Sequence, residues 1–357
     1  MSYSLSDIIR NFKIDVSIEP YGNGHINDTY IAESDPKYIL QRINNAVFKN
    51  PEQVMSNILG VTEHLRKKIK EAGGNPDRET LNLVKTIDGK SFYKADDDNY
   101  FRMYKFIEGA VSYDIVENPS QLYEAAKAFG RFQNMLADYP VDKIYETIPD
   151  FHDTGKRFSA LQTAIAEDRV GRRKSVESEI EFALEREKDT NVIVDAIAKG
   201  SVPVRVTHND TKLNNVMLDE KTGEGVCVID LDTVMPGSLL YDYGDALRFG
   251  ASSGAEDETD LDKIWFDLEL FEAFTKGFLS EVGSALTEGE IKLLPFSAKL
   301  MTYECGIRFL TDYLNGDTYF KIHREGHNLD RARTQFKLVA DMEKKMDEMR
   351  EIVKKYI

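Results

Sequence analysis

The 357-residue sequence predicts a mixed α+β fold of two lobes. Three observations lead to this prediction. Strand-like segments and turn signals fill the first third, around one long amphipathic helix. Helical periodicity dominates the last half. Between them, a polar loop at 207–215 precedes an apolar run that ends at Ile229. We therefore expect an N-terminal lobe over residues 1–107 and a mostly helical C-terminal lobe over residues 108–357.

The composition excludes several classes of protein. The net charge of −16 disfavours a general surface for nucleic acid or anionic membranes, so an anionic ligand must meet local positive charge or a metal ion. Cys227 and Cys305 lie in apolar surroundings, which predicts buried, reduced thiols. The N-terminus lacks the pattern of a signal peptide, and no run approaches the roughly 18 apolar residues of a membrane span. We expect a cytoplasmic protein, with a monomer as the simplest state.

The N-terminal lobe begins with a strand, a turn and a strand. The turn, Tyr21–His25, reads YGNGH. Glycines in such a turn let backbone amides approach a phosphate closely, although a plain hairpin has the same pattern. The other elements predicted for this lobe are strands at 36–43, 90–95 and 100–107 and a helix at 51–72 that starts with Asn50-Pro51.

Helices account for most of the C-terminal lobe. Their predicted spans are 119–138, two within 155–199, 260–281, 287–314 and 328–356. Pro295 is expected to break or kink the helix at 287–314 near its start. The aromatic face that runs from Trp265 to Phe278 predicts core.

The central loop carries the residues that indicate chemistry. Asp210 and Asn215 stand at its two ends, and the apolar strand that follows brings Asp230 back towards them. Phosphoryl transfer needs a carboxylate for the acceptor hydroxyl, oxygen ligands for Mg²⁺ and positive charge near the phosphates. Asp210 suits the first role, and Asn215 and Asp230 are hard oxygen ligands. Lys212 is placed to contact the transferred phosphate or the acceptor.

Several neighbouring residues keep two interpretations. His208 fits a residue that supports the loop better than one that reacts. Asp232 forms an Asp-x-Asp pair with Asp230, which leaves a second metal contact open. Arg308 and Asp312 on the helix at 287–314 fit either a buried ion pair or contacts with a ligand.

The loop resembles the H-x-D-x-x-x-x-N catalytic loop of protein kinases, followed by a metal-binding aspartate. With Tyr241-Asp242 after that aspartate, the chain is similar to the aminoglycoside and choline phosphotransferase family. The matching segments include EPYGNGHINDTY, RVTHNDTKLNN, IDLDTVMPGS and ECGIRFLTDYL, and they extend from residue 19 to residue 335. The resemblance implies a two-lobed protein-kinase-like fold with ATP and Mg²⁺ as cofactors.

The resemblance also implies a role for individual positions. Asp210 matches the catalytic base, Asn215 and Asp230 match the metal ligands, and Asp242 matches a residue that holds the loop in shape. The expected nucleotide contacts are Gly22 and Gly24 in the turn and Lys105, Phe106 and Ile107 in the strand beside adenine. The residues expected to face the acceptor are His25, Lys212, Arg308 and Tyr319.

The acceptor implied by the resemblance is a sugar. The segments are most similar to sugar kinases of this family that phosphorylate N-acetylglucosamine or N-acetylgalactosamine at the anomeric hydroxyl. Homoserine, choline or an aminoglycoside are alternative acceptors. A nucleotide-binding pseudokinase is a further alternative, because Gln41 stands where protein kinases carry a phosphate-binding lysine.

Overall fold

The computed structural model describes residues 4–22 and 26–357. These residues form two compact units. The N-terminal unit comprises Met1–Ser112, as far as it is described, with Met135–Pro149 and Asn215–Pro236. The C-terminal unit comprises Tyr113–Asn134, Asp150–Asn214 and Gly237–Ile357. Each unit therefore draws on several separate stretches of the chain.

An antiparallel sheet forms the centre of the N-terminal unit, in the strand order β1-β2-β3-β5-β4. The elements from its first part are α1 (Leu5–Arg10), β1 (Ile18–Pro20), β2 (Asp28–Ala32), β3 (Tyr38–Ile43), α2 (Pro51–Glu71), α3 (Pro76–Glu79), β4 (Tyr93–Lys94), β5 (Tyr100–Lys105) and β6 (Ala110–Val111). Side chains alternate across the sheet. Leu40 and Met103 enter the core with Ile9 of α1, while Gln41 and Arg102 face the opposite side.

The helix caps show why two of these helices begin where they do. Ser4 Oγ accepts the backbone N–H of Asp7 at 3.1 Å, so Ser4 is the N-cap from which α1 begins. Asn50 Oδ1 accepts the N–H of Gln53 at 3.2 Å, as the Asn-Pro signal predicts.

Two later segments of the chain complete the N-terminal unit. Asn57 of α2 is buried, and its amide donates to the carbonyl oxygens of Tyr145 at 2.8 Å and Val234 at 3.0 Å. A second sheet has the order β6-β8-β9, with β8 at Val216–Asp219 and β9 at Gly225–Val228. Hydrogen bonds from a buried amide and from strand pairing thus tie these segments to the first 112 residues.

The C-terminal unit is mostly helical. Its elements are α4 (Pro119–Met135), α5 (Thr154–Glu167), α6 (Glu177–Leu184), α7 (Val192–Ala198), β7 (Arg205–Thr207), α8 (Leu239–Gly250), α9 (Leu268–Val282), α10 (Glu288–Leu314) and α11 (His327–Lys354). The short strand β10 (Met235–Gly237) precedes α8. The region 155–199 holds three α-helices rather than two, because short 3₁₀ turns interrupt it at Arg173–Ser175 and Glu187–Asp189.

The core of this unit lies around α8 and α10. Gly244 of α8 packs so close to the carbonyl oxygen of Ser297 that a Cβ atom would clash with it. The Tyr243 ring packs against Phe274 and Phe278. Trp265, predicted to be core, is 47% exposed and lies before α9. The helix α10 continues through Pro295 without ending there.

Two predictions from composition concern thiols and membranes. Cys227 and Cys305 are free and buried, as predicted, and burial raises the pKa of Cys305 to about 12. Among residues 4–22 and 26–357, no helix combines the length and the apolar character that a membrane span requires.

Candidate active site

The central loop of the C-terminal unit follows β7 and is held by Asp242. This carboxylate is 1% exposed and accepts the backbone N–H groups of His208 at 2.9 Å and Asn209 at 2.7 Å. The Gln133 side chain donates to the same carboxylate, and Thr211 Oγ1 donates to the Asp242 carbonyl at 2.6 Å. Burial raises the pKa of Asp242, although these donors oppose the shift. Asp242 thus fixes the loop on both sides of Asp210.

Asp210 pairs with Lys212, whose Nζ lies 2.8 Å from Oδ1. Burial by itself would raise the pKa of Asp210, but the Lys212 ammonium, with smaller contributions from His208 and Arg248, holds the pKa below the usual range. Burial would likewise lower the pKa of Lys212, and the Asp210 carboxylate holds it above its usual value. Both groups are therefore charged at neutral pH. A carboxylate is thus ready to accept a hydrogen bond from a hydroxyl group.

His208 is a buried neighbour of this pair. It is fully buried, with the rings of Phe129 and Phe132 at centroid distances of 5.8 and 5.9 Å. Its Nδ1 accepts the backbone N–H of Asp210 at 3.3 Å. These contacts fit the interpretation that His208 supports the loop.

Asn215 and Asp230 lie in the N-terminal unit, at one end of the β8–β9 pair. Ile229 N–H donates to the Asn215 carbonyl at 2.9 Å, one step beyond the paired residues Val216 and Val228. Asp230 follows in a left-handed conformation with φ of 59°. An amide and a carboxylate oxygen donor are thus brought to the same end of this hairpin, and both are the kind of ligand that Mg²⁺ prefers.

Asn215 and Asp230 suit Mg²⁺, which needs few protein ligands, better than they suit a metal ion coordinated by protein groups alone. In the described parts of the chain, no three His, Cys, Asp or Glu side chains cluster to bind a metal ion. Mg²⁺ commonly takes one or two protein ligands and completes its shell with phosphate oxygens and water. Asn215 and Asp230 would hold such an ion together with a nucleotide.

Asp232 differs from Asp230 in its surroundings. It is 3% exposed, and its two oxygens contact different partners. Oδ1 pairs with the guanidinium of Arg102, and Oδ2 accepts from Asn27 Nδ2 at 2.6 Å. Both oxygens are thus engaged by protein groups, which disfavours the alternative of a second metal contact at Asp232.

The glycine turn is described in part. Gly22 has a φ of 74°, a left-handed conformation that favours glycine, and among the described residues no atom beyond its chain neighbours lies within 4 Å of where a Cβ would be. The Tyr21 ring meets the Phe106 ring edge-on, with a centroid distance of 6.1 Å. Gly24 and His25 lie outside the described residues.

The strand predicted beside adenine at 100–107 is β5, which ends at Lys105, so Phe106 and Ile107 follow it. Lys105 N–H donates to the Asn82 carbonyl at 2.9 Å, and Phe106 N–H donates to the Lys37 carbonyl at 3.0 Å. Ile107 is buried. The structure therefore places Phe106 beside the glycine turn, within the same unit as Asn215 and Asp230.

Two of the predicted acceptor residues, Arg308 and Tyr319, lie in an aromatic and cationic cluster of the C-terminal unit. The Arg308 guanidinium lies 5.7 Å from the Phe151 ring centroid and 5.5 Å from that of Phe320. Tyr319 is 71% exposed and meets Phe320 edge-on at 4.8 Å. Burial and the nearby Arg308 lower the pKa of Arg157, so this cluster holds two neighbouring guanidinium groups.

Asp312 holds the loop that carries Tyr319, a role that the sequence did not reveal. Its Oδ1 accepts the N–H groups of Thr318 at 2.9 Å and Tyr319 at 2.8 Å. Its Oδ2 accepts the N–H of Phe320 at 2.9 Å and Asn328 Nδ2, also at 2.9 Å. Asp312 therefore bonds to the backbone after α10. The only available signal was the Asn-Gly-Asp turn that follows this helix.

His152 contacts the loop of Asp210, and Glu304 lies near Arg308. Neither residue was predicted from the sequence. His152 Nδ1 donates to Glu304 Oε1 at 2.8 Å, and Nε2 lies 3.3 Å from the Asn209 carbonyl. Burial opposes ionisation of Glu304, but His152 and Arg308 keep its pKa below the usual range. A buried carboxylate thus connects the backbone beside Asp210 with Arg308.

Comparison with known proteins identifies the class of protein. A sequence model of the phosphotransferase enzyme family matches residues 17–273, well over half of the chain. The chain belongs to this family, and it is therefore a phosphotransferase.

Solved structures confirm the predicted protein-kinase-like α+β fold. An aminoglycoside phosphotransferase from Alicyclobacillus acidocaldarius has a TM-score of 0.67 at 11% identity, covering 99% of this chain and 98% of the other. A spectinomycin phosphotransferase in complex with ADP and spectinomycin has a TM-score of 0.58 at 12% identity, covering 96% and 98%. An ethanolamine kinase of Plasmodium vivax has a TM-score of 0.53 at 15% identity, covering 89% and 82%. At these identities the likeness establishes the fold alone.

Proposed function

We propose that this phosphotransferase is an N-acetylhexosamine 1-kinase, which transfers the γ-phosphoryl group of ATP to the anomeric hydroxyl of N-acetylglucosamine or N-acetylgalactosamine. The observation that supports the kinase chemistry is the ionised Asp210. It pairs with Lys212 on a loop whose backbone N–H groups bond to Asp242. A preorganised carboxylate beside a cation is what phosphoryl transfer to a hydroxyl requires.

In this mechanism Asp210 accepts the hydrogen bond of the anomeric hydroxyl and takes its proton as the reaction proceeds. The hydroxyl oxygen forms a bond to the γ-phosphorus while the bond from that phosphorus to the bridging oxygen of ADP breaks. Lys212 stabilises the negative charge on the transferred group. Asn215 and Asp230 would hold Mg²⁺, which neutralises phosphate charge when it is bound.

The acceptor proposal draws on the cluster around Arg308 as well as on the resemblance. A sugar with an acetamide group needs directional donors and acceptors beside an aromatic wall. Arg308 and Glu304 are such polar groups, and Phe151, Phe320 and Tyr319 supply aromatic rings.

The cationic side chains of the proposed site disfavour cationic acceptors. Choline, ethanolamine and aminoglycosides carry positive charge at neutral pH. Arg157, Lys212 and Arg308 would repel them, because like charges in a partly buried site interact through a low effective dielectric constant. Homoserine remains as an acceptor to be tested directly.

The test is phosphorus NMR of the product formed from N-acetylglucosamine, ATP and Mg²⁺. We expect a sugar 1-phosphate, which is distinguishable from a 6-phosphate, and its formation should be about 10²- to 10⁴-fold slower with Asp210→Asn. A 6-phosphate, or turnover only with homoserine, choline or an aminoglycoside in a parallel screen for ADP, would replace the acceptor. Nucleotide binding without turnover of any acceptor would indicate a pseudokinase.

A further inference from the structure

A row of polar side chains crosses three strands of the N-terminal sheet. The register pairs Thr29 of β2 with Gln41 of β3 and Gln41 with Arg102 of β5, so the three side chains share one face. Gln41 occupies the position where a protein kinase carries its phosphate-binding lysine. A buried cation, Arg102, stands one strand further along on the same face.

Arg102 determines the orientation of Gln41. Its Nε and Nη2 atoms donate to Gln41 Oε1 at 3.0 and 2.8 Å. The amide nitrogen of Gln41 consequently points away from the guanidinium and donates to Thr29 Oγ1 at 3.1 Å. The reverse orientation would place amide hydrogens against a cation that has only donors. Thr29 lies just after the glycine turn, so this arm of the network reaches the predicted nucleotide site.

The other arm reaches the predicted metal site. Arg102 Nη1 donates to Asp232 Oδ1, and Asp232 follows Asp230 by two residues. Asn27 donates to the second oxygen of Asp232, and its own Oδ1 accepts the Asn44 N–H at 3.0 Å. Asn27 stands at the other end of the glycine turn from Tyr21. Polar bonds thus join Asn27, the sheet and the segment that carries Asp230.

We propose that Arg102 and Asp232 form a positioning pair that holds Asp230 in its metal-binding conformation and couples it, through Asn27 and Gln41, to the start of β2. This inference rests on the proposed role of Asp230 as a metal ligand, but it does not depend on which acceptor the enzyme uses. The left-handed backbone of Asp230 costs free energy, and a conformation of this kind persists only where its surroundings impose it. The Arg102–Asp232 pair supplies such a constraint two residues away.

Burial distinguishes this role from direct binding of phosphate. Arg102 is 1% exposed, and its contacts with Gln41 and Asp232 use three of its nitrogen atoms. Burial opposes its charge, but Asp232 and Asp230 together keep the pKa of Arg102 above its usual value. A cation so enclosed acts on a ligand through the groups it orients.

The test separates metal coupling from nucleotide binding. ADP affinity is measured by calorimetry in EDTA and then over a series of Mg²⁺ concentrations, for the wild type, Asp232→Asn and the double variant Arg102→Met/Asp232→Asn. We expect the Mg²⁺ concentration that gives half of the affinity gain to rise about 10- to 100-fold, the usual cost of removing a partner of a metal ligand. ADP affinity in EDTA should change less than about twofold, because no phosphate ligand is lost.

The double variant matters because a single change leaves a buried charge unpaired and can prevent folding. If it folds and its Mg²⁺ dependence equals that of the wild type, the pair is merely structural and the proposal is wrong. A loss of about tenfold or more in EDTA would make Arg102 a phosphate ligand and would also overturn the proposal. If neither variant folds, Asn27→Ala decides the question, since it keeps the ion pair intact. A raised Mg²⁺ requirement in that variant supports the coupling, and an unchanged one contradicts it.

The control is another arginine–carboxylate pair, which lies outside the proposed site. Arg205 Nε lies 2.7 Å from Glu290 Oε1, and Glu290 is fully buried. Arg205→Met/Glu290→Gln should leave both ADP measurements unchanged. If this control shifted the Mg²⁺ requirement as much as the test variant does, loss of stability rather than positioning would explain the result, and the proposal would fail.

Discussion

The ammonium group of Lys212 lies 2.8 Å from the carboxylate of Asp210, two residues before it in the same loop. This ion pair sets the charge of the group that we propose as the catalytic base. Because Lys212 lowers the pKa of Asp210 against the effect of burial, the carboxylate stays ionised at neutral pH. It can therefore orient a hydroxyl group without first losing a proton.

Replacing Asp210 tests the base directly. Asp210→Asn keeps the shape of the side chain but cannot accept the proton, so kcat should fall by about 10²- to 10⁴-fold, the usual contribution of a positioned base. The measurement is ADP release at saturating substrates. Circular dichroism and the unfolding temperature should match those of the wild type. A kcat within about tenfold of the wild type would show that another group serves as base.

Removing Lys212 should move the acid limb of the pH–rate profile. The ionised carboxylate of Asp210 is the active form, and activity is lost as the pH falls through its pKa. Lys212→Met removes the group that lowers this pKa, while burial, which raises it, stays. The acid limb of kcat should therefore move to higher pH, and Lys212→Arg should restore it in part. An acid limb at the same pH in Lys212→Met and the wild type would contradict the assigned cause of the shift.

Asp242 should contribute to stability through the two backbone N–H groups that it accepts. In Asp242→Asn one carboxylate oxygen becomes an amide NH₂ group that faces a donor. We expect a loss of about 1–3 kcal/mol in the free energy of unfolding, the cost of a buried donor left unsatisfied. Urea denaturation measures it. Asp347→Asn is the matched control, because Asp347 is 93% exposed and surface changes stay within about 0.5 kcal/mol. Equal effects in the two variants would mean that Asp242 does not support the loop.

Asp312 should influence the acceptor and leave the nucleotide unaffected. Asp312→Ala frees the N–H groups of Thr318, Tyr319 and Phe320, so the loop beside Arg308 loses its definition. We expect KM for the acceptor to rise about tenfold, since a misplaced binding group costs on the order of 1–2 kcal/mol. KM for ATP should stay constant, and Glu325→Ala, in an exposed part of the following segment, should change neither constant. A parallel rise in both constants would point to general loss of stability.

Local signals predicted the elements of this fold well. The Asn-Pro cap and the apolar spacing predicted a helix at 51–72, and α2 extends over Pro51–Glu71. The helix expected at 328–356 is α11, His327–Lys354. Backbone hydrogen bonds, caps and periodicity act over a few residues, so the sequence contains them directly.

Partners that are distant in the sequence were not predictable in this way. Arg102 pairs with Asp232, 130 residues away, and His152 pairs with Glu304, 152 residues away. His327 is buried, and Asp257 lies 2.9 Å from its Nε2. Each of these polar groups is stabilised in the core by a specific partner, and no local pattern specifies which distant residue that will be.

The sequence by itself therefore determined the α+β class, long helices such as α2 and α11, and the polar loop that carries Asp210, Lys212 and Asn215. These depend on spacing and turn chemistry within short segments. Only the tertiary structure decided that Asp232 pairs with Arg102 and that Asp312 accepts backbone N–H groups of the loop that carries Tyr319. It alone also decided that Glu304 accepts from both His152 and Thr154. The physical reason is that a buried charge needs a partner with matching geometry, and folding brings such partners together from separate parts of the chain.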